Sequence, residues 1–115
     1  MITKQSTILI TGAAGFIASC MASYLYKEGF TSLVLVDDFS KENKRSNYSG
    51  IQIEKKIERA KLHVYFETKP KIDCIIHFGA RTDTTEMDYA VHEELNVNYS
   101  KMVWAFCAEQ QIPII

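Results

Sequence analysis

The segment Thr11–Ala18 reads TGAAGFIA, with the small residues Gly12, Gly15 and Ala18 at three-residue spacing. The first glycine of such a set lets the chain leave a strand in a sharp turn. The second lets backbone N–H groups come close to a pyrophosphate, and a small third residue lets the following helix lie tight on a sheet. The phosphates then meet the positive end of that helix, here expected over residues 16–28. The next apolar run closes on Asp37, where a carboxylate would accept from the hydroxyls of an adenosine ribose. A glycine turn between a strand and a helix, followed by an acid ending the second strand, predicts a dinucleotide ligand. No GxxxxGKS or GxxxxGKT is present, so a P-loop triphosphatase is not expected.

Charge near the turn leaves the choice of dinucleotide open. Asp37 favours NAD, whereas Lys41, Lys44 and Arg45 could neutralise a 2′-phosphate and favour NADP. Residues 41–61 carry seven basic and three acidic groups, against two and three in residues 1–40 and four and eight in residues 62–115. That stretch reads either as a solvated face or as a local phosphate site.

Other groups of chemical interest have plainer readings. Cys20, Cys74 and Cys107 lie far apart in apolar stretches and read as reduced structural thiols. His77 ends an apolar run and reads as a satisfied core or rim histidine, and His63 and His92 as helix-surface residues. No histidine or acid spacing argues for a metal.

The elements that must position these residues alternate. Thr7–Ile10, Leu33–Val36, Ile51–Ile53 and Asp73–Phe78 read as strands, and the last three residues, Pro113–Ile115, as the start of a fifth. Between them, helices are expected over Phe16–Glu28, Ile57–Thr68 and Glu86–Gln110. In the first, Ile17, Cys20, Met21, Tyr24 and Leu25 form the apolar face and Gly29 the stop. The long helix places Met87, Val91, Leu95, Met102, Val103, Phe106 and Cys107 on one side, with Trp104 and Phe106 expected to pack. Strands alternating with helices pair in parallel through right-handed crossovers. The expected fold is an α/β, doubly wound, Rossmann-like parallel sheet of order 3-2-1-4-5, truncated at the fifth strand, with residues 1–115 as one dinucleotide-binding domain. A buried strand opening in the last three residues further predicts the N-terminal part of a longer protein.

Composition agrees with one soluble domain. The 115 residues are 47% apolar and 23% charged, with a formal net charge of −1. These values argue against disorder as the main state and give no global reason to expect nucleic acid as a partner. The apolar runs fall far short of the roughly 18 residues of a membrane span. The N-terminus lacks the apolar core of a secretory signal, so a cytoplasmic location is expected.

TGAAGFIA after a first strand, VDD closing a second, HFGA closing a fourth and LNVN in the long helix occur in fixed order. Together they resemble the extended short-chain dehydrogenase/reductase family, whose members epimerise, dehydrate or reduce nucleotide sugars. The usual family loop, TGGAGFIG, is departed from at Ala13 and Ala18. The loop GARTDTTEMDY, Gly79–Tyr89, is similar to that of the heptose-epimerase branch, which inverts one carbon of an ADP-bound heptose and uses NADP.

The resemblance implies roles for particular residues. Gly12, Gly15, Phe16 and Ile17 would line the pyrophosphate turn, and Asp37 and Asp38 would hold the adenosine ribose. Lys44 would meet the 2′-phosphate. Phe78, Gly79, Ala80, Arg81 and Thr82 would run along the cofactor, Asn96 would support its nicotinamide side, and Thr84 and Thr85 would face a nucleotide-sugar substrate. Paired long helices imply a homo-oligomer.

Catalysis in that family uses a Ser or Thr after the fifth strand and a later YxxxK, both expected beyond Ile115. By that resemblance this chain alone should not turn over a substrate. Tyr65-Phe-Glu-Thr-Lys69 has the YxxxK spacing but precedes the fourth strand, the wrong element to face a nicotinamide. Tyr99-Ser100-Lys101 has the residue types without the spacing. Alternative readings are another family member, such as a UDP-hexose epimerase or a dehydratase, a non-catalytic NAD(P)-sensing module, or a degenerate domain kept for dimerisation.

Overall fold

A computed structural model of the chain describes residues 2–13, 15–39, 53–78 and 89–115, with only the backbone described over 89–96. In chain order the elements are β1 (Ile8–Thr11), α1 (Phe16–Lys27), β2 (Leu33–Asp37), β3 (Lys55–Glu58), a 3-10 turn (Arg59–Lys61), α2 (Leu62–Glu67), β4 (Cys74–His77) and α3 (Tyr89–Gln110). The four strands among the described residues are parallel in the order β3-β2-β1-β4. This is the expected Rossmann-like sheet.

Strand alternation divides the core in two. Leu9, Val34, Val36, Ile57 and Ile75 point to one face, where they pack against Leu62 and Phe66 of α2 and Val103, Phe106 and Cys107 of α3. Ile8, Ile10, Leu33, Leu35 and Cys74 point to the other, against Ala18 and Ala22 of α1. Helices therefore cover both faces, as double winding requires. On the first face Phe66 and Phe106 stack with centroids 3.9 Å apart and planes 4° from parallel. Gly29 ends α1 at φ +101°, with Gly29 N–H donating to the Tyr26 carbonyl and Phe30 N–H to that of Leu25, so the expected stop is observed.

Several expectations need correction. The third strand is Lys55–Glu58, with Ile53 in irregular backbone before it, while Ile51 and Gln52 lie outside the described residues. Ile57 belongs to that strand, so the helix expected over 57–68 contracts to Leu62–Glu67. The apolar face expected on α1 is not the buried one. Ala18, Ser19 and Ala22 face the sheet, while Ile17, Cys20, Met21 and Tyr24 are exposed and Leu25 is partly buried. Trp104, expected to pack, is 59% exposed. Where a fifth strand is expected there is a single parallel bridge between Ile75 and Ile114, with Ile115 N–H donating to the Ile75 carbonyl at 3.0 Å. Glu86–Asp88 of the long helix lie outside the described residues.

Candidate functional site

The carboxyl ends of the four strands meet at one edge of the sheet. Thr11 pairs with Val36 on one side and His77 on the other, and Asp37 pairs with Glu58. The strand order reverses between β1 and β4, and a crevice at such a switch point is where open α/β sheets take ligands.

The glycine turn rises from β1 into this crevice. Gly12 has φ +66°, a conformation side-chain-bearing residues rarely adopt. A Cβ at Gly12 would stand 2.6 Å from the carbonyl oxygen of Phe78, so neither space nor backbone conformation admits a larger residue. Gly15 N–H donates to the Gly12 carbonyl at 3.0 Å, closing the turn, and Ala13 N–H donates to the Val36 carbonyl at 3.1 Å, pinning it to β2. Gly15 is the N-cap of α1, and among the described residues no side chain caps that end. The helix therefore presents bare N–H groups and the positive end of its dipole, an arrangement suited to an anion. Phe16 and Ile17 flank it, 74% and 70% exposed.

At the end of β2, Asp38 N–H donates to Asp37 Oδ1 at 2.6 Å, and both acids are partly buried. Glu58, across the register from Asp37, accepts from Phe39 N–H at 3.3 Å. Lys56 Nζ lies 5.3 Å from the centroid of the Phe39 ring.

Beside the glycine turn lies a polar group that joins three elements. Phe78 N–H donates to Thr11 Oγ1 at 3.1 Å, and Thr11 Oγ1 lies 2.6 Å from His77 Nδ1. His77 Nε2 lies 2.9 Å from Ser100 Oγ on α3. The expectation of a satisfied rim histidine thus agrees with the hydrogen bonding. Tyr99 sits beside it at 5.8 Å between ring centroids, with the Arg59 guanidinium 4.2 Å over the tyrosine ring. Burial, and secondarily the Arg59 charge, holds the His77 imidazole below its ordinary range. Burial, aided by Asp37 and opposed by Arg59, pushes the Tyr99 phenol up to about 12.

Residues 8–114 match the NAD dependent epimerase/dehydratase family. The chain belongs to that family. It is 33% identical over 111 residues to an ADP-L-glycero-D-manno-heptose-6-epimerase of Fusobacterium nucleatum, covering 94% of this chain and 33% of that protein. The solved heptose epimerase of Helicobacter pylori superposes with a TM-score of 0.77 at 23% identity, covering 96% of this chain and 38% of the other, a likeness of fold. A UDP-glucose 4-epimerase from Brucella ovis, solved in complex with NAD, superposes at 0.63 with 25% identity, covering 89% and 32%. The chain thus spans about a third of the length of the relatives it matches.

The residues of this epimerase/dehydratase-family chain fit the dinucleotide in the family's name. The cradle is one that a Cβ at Gly12 would fill, and it opens at an uncapped helix end. Of the residues expected to serve the site, the fold gathers Gly12, Gly15, Phe16, Ile17, Asp37, Asp38 and Phe78 around one edge of the sheet. Lys44, Gly79, Ala80, Arg81, Thr82, Thr84 and Thr85 lie outside the described residues, as does the side chain of Asn96.

Tyr65 does not resemble an acid–base group. Burial and then Glu54 raise its phenol, and the cation over its ring is Lys55 at 5.0 Å. Lys69 lies past the end of α2 at φ +51°. Among the described residues no cluster of His, Cys, Asp or Glu could hold a metal ion. Sequence reasoning missed the link of Thr11 to His77 and Ser100. Its one signal was a histidine ending a strand; the β1–β4 register makes Thr11 and His77 neighbours, and α3 brings Ser100 to the ring.

Proposed function

We propose that this chain is the cofactor-binding part of an NAD(P)-dependent sugar-nucleotide epimerase, of the kind that acts on an ADP-bound heptose, with NADP as cofactor and NAD as the alternative. The reading is carried by 33% identity to a heptose epimerase along nearly the whole chain, which includes a glycine turn that leaves no room for a side chain at Gly12. A bound nicotinamide dinucleotide would supply hydride removal from a sugar carbon and hydride return to its opposite face.

The chain's own part is to bind and orient. Gly12 and Gly15 admit the pyrophosphate to the N-terminus of α1, flanked by Phe16 and Ile17. Asp37 and Asp38 accept from the adenosine ribose, and Lys44 meets a 2′-phosphate. Residues 78–82 with Asn96 line the nicotinamide side, and Thr84 and Thr85 face the sugar. Acid–base catalysis would come from a Ser or Thr and a YxxxK outside these 115 residues, so the chain alone is expected to be inactive. We place the protein in the cytoplasm as a homo-oligomer joined through its long helices.

Calorimetric titration with NADP and separately with NAD tests the reading. NADP should bind more tightly, and Lys44→Ala should weaken it by about tenfold while leaving NAD unchanged. A preference for NAD would favour a second reading, a UDP-hexose epimerase, suggested by the fold shared with the NAD-bound Brucella enzyme. Binding of neither by folded protein would overturn both.

A further inference from the structure

Thr11 is completely buried, so its hydroxyl proton needs an acceptor. Its oxygen already accepts from Phe78 N–H, and the polar atom 2.6 Å away is His77 Nδ1. Among the described residues that nitrogen is the acceptor within reach, so the hydroxyl donates to Nδ1, which leaves the imidazole proton on Nε2. That proton is donated to Ser100 Oγ at 2.9 Å. One directed chain thus runs from Phe78 N–H through Thr11 and His77 to Ser100, joining the end of β4, the last residue of β1 and α3. Both of its first members touch the glycine turn: Thr11 immediately precedes Gly12, and the Phe78 carbonyl is the atom a Cβ at Gly12 would strike. Charge around the ring favours the neutral form, since Tyr99 faces it from α3 with the Arg59 cation over that ring.

We propose that His77 is a positioning residue for the dinucleotide: held as its Nε2–H tautomer between Thr11 and Ser100, it fixes the height of the Gly12 turn over the end of β4 and so the seat of the pyrophosphate. The proposal rests on the dinucleotide-binding reading above and adds to it a residue that touches no ligand.

The test uses isosteres in the intact protein. The Oδ1 atom of asparagine falls where His77 Nδ1 sits and keeps the acceptor for Thr11. The amide of glutamine reaches the Nε2 position and keeps only the link to Ser100. Titration with NAD and NADP should show affinity reduced about tenfold in His77→Gln and His77→Phe, and restored to within about threefold of the parent in His77→Asn. In ¹⁵N spectra of histidine-labelled parent protein, the His77 Nδ1 signal should be that of an unprotonated, hydrogen-bonded ring nitrogen.

A proton on Nδ1, equal losses in the asparagine and glutamine variants, or parental affinity in all three would each overturn the proposal. Parent protein that binds neither dinucleotide would fail the binding reading itself, whereas parent binding with unaffected variants fails only the role of His77. Should the His77 variants not fold, the labelled parent still decides the tautomer. Thr11→Ser, which keeps the hydroxyl, against Thr11→Val, which removes it, then repeats the affinity comparison with the same expected tenfold gap.

Discussion

Gly12 and Phe78 meet backbone to side-chain space: a Cβ on the first would lie 2.6 Å from the carbonyl oxygen of the second and 3.2 Å from its Cβ. The glycine turn is therefore not only tight but wedged, since β4 ends directly beneath it. The turn's shape depends on a residue 66 positions later in the chain as much as on its own sequence.

Gly12→Ala should accordingly be costly on two counts, a positive φ of +66° and a collision with backbone that has nowhere to yield. The expected loss is about 1–3 kcal/mol of stability from backbone strain, with dinucleotide affinity falling beyond detection. Urea denaturation and calorimetry measure the two effects. An unchanged denaturation midpoint would mean that the turn is not held against β4.

Phe66 and Phe106 are both 6% exposed and stacked at 3.9 Å, and they join α2 to α3. Truncating Phe106 to Ala should cost about 3–5 kcal/mol. A single cooperative unfolding transition at a markedly lower denaturant midpoint is expected. A change below about 1 kcal/mol would show that the helix pair contributes little to the core.

His77 should make the fold sensitive to acid. Its imidazole is held below the usual range by burial and by Arg59, so the unfolded chain takes up a proton near pH 6.5 that the native state refuses. Stability from this group is complete above about pH 6.5 and declines as the pH falls toward the lowered native value. The groups around the ring are Thr11 on β1, Ser100 and Tyr99 on α3, and Arg59 on the 3-10 turn. Thermal melts from pH 7.5 to 5 should show a steeper decline in the parent than in His77→Asn, and parallel curves would contradict the shift.

Tyr99 predicts the opposite sign at the alkaline end. Its phenol is pushed up to about 12, so stability from its burial is complete below about pH 10 and is lost as the pH rises through the native value. Ultraviolet titration should show a last phenol, that of Tyr99, ionising near pH 12, well after the exposed tyrosines. Tyr99→Phe should remove that late step and no other.

The sheet was legible because buried parallel strands read as short apolar runs, and TILI, LVLV and DCIIHF place β1, β2 and β4 within a residue or two. Lys55–Glu58 escaped because only Ile57 of its four residues is buried, so KKIE carries no apolar signal. On α1, periodicity picked the large residues Ile17, Met21 and Tyr24. The sheet instead meets Ala18, Ser19 and Ala22, because a helix starting at a tight turn lies too close for bulk. At the glycine turn, spacing alone pointed to Gly12 and Gly15, because the positive φ of the first and the N–H of the second that closes the turn are local backbone features. The Thr11–His77 contact was invisible, since it follows from strand register and not from proximity in sequence.

Among the described residues the two lateral margins of the sheet are unlike. β3 turns Lys55, Lys56 and Glu58 outward, and a row of charged, solvated side chains there discourages another strand from docking. On the far margin, β4 already exchanges hydrogen bonds with residues 113–115. Recruitment of further backbone is thereby polarised. The β4 border accepts backbone as a neighbour, while the charged border at β3 resists edge-to-edge association of separate molecules.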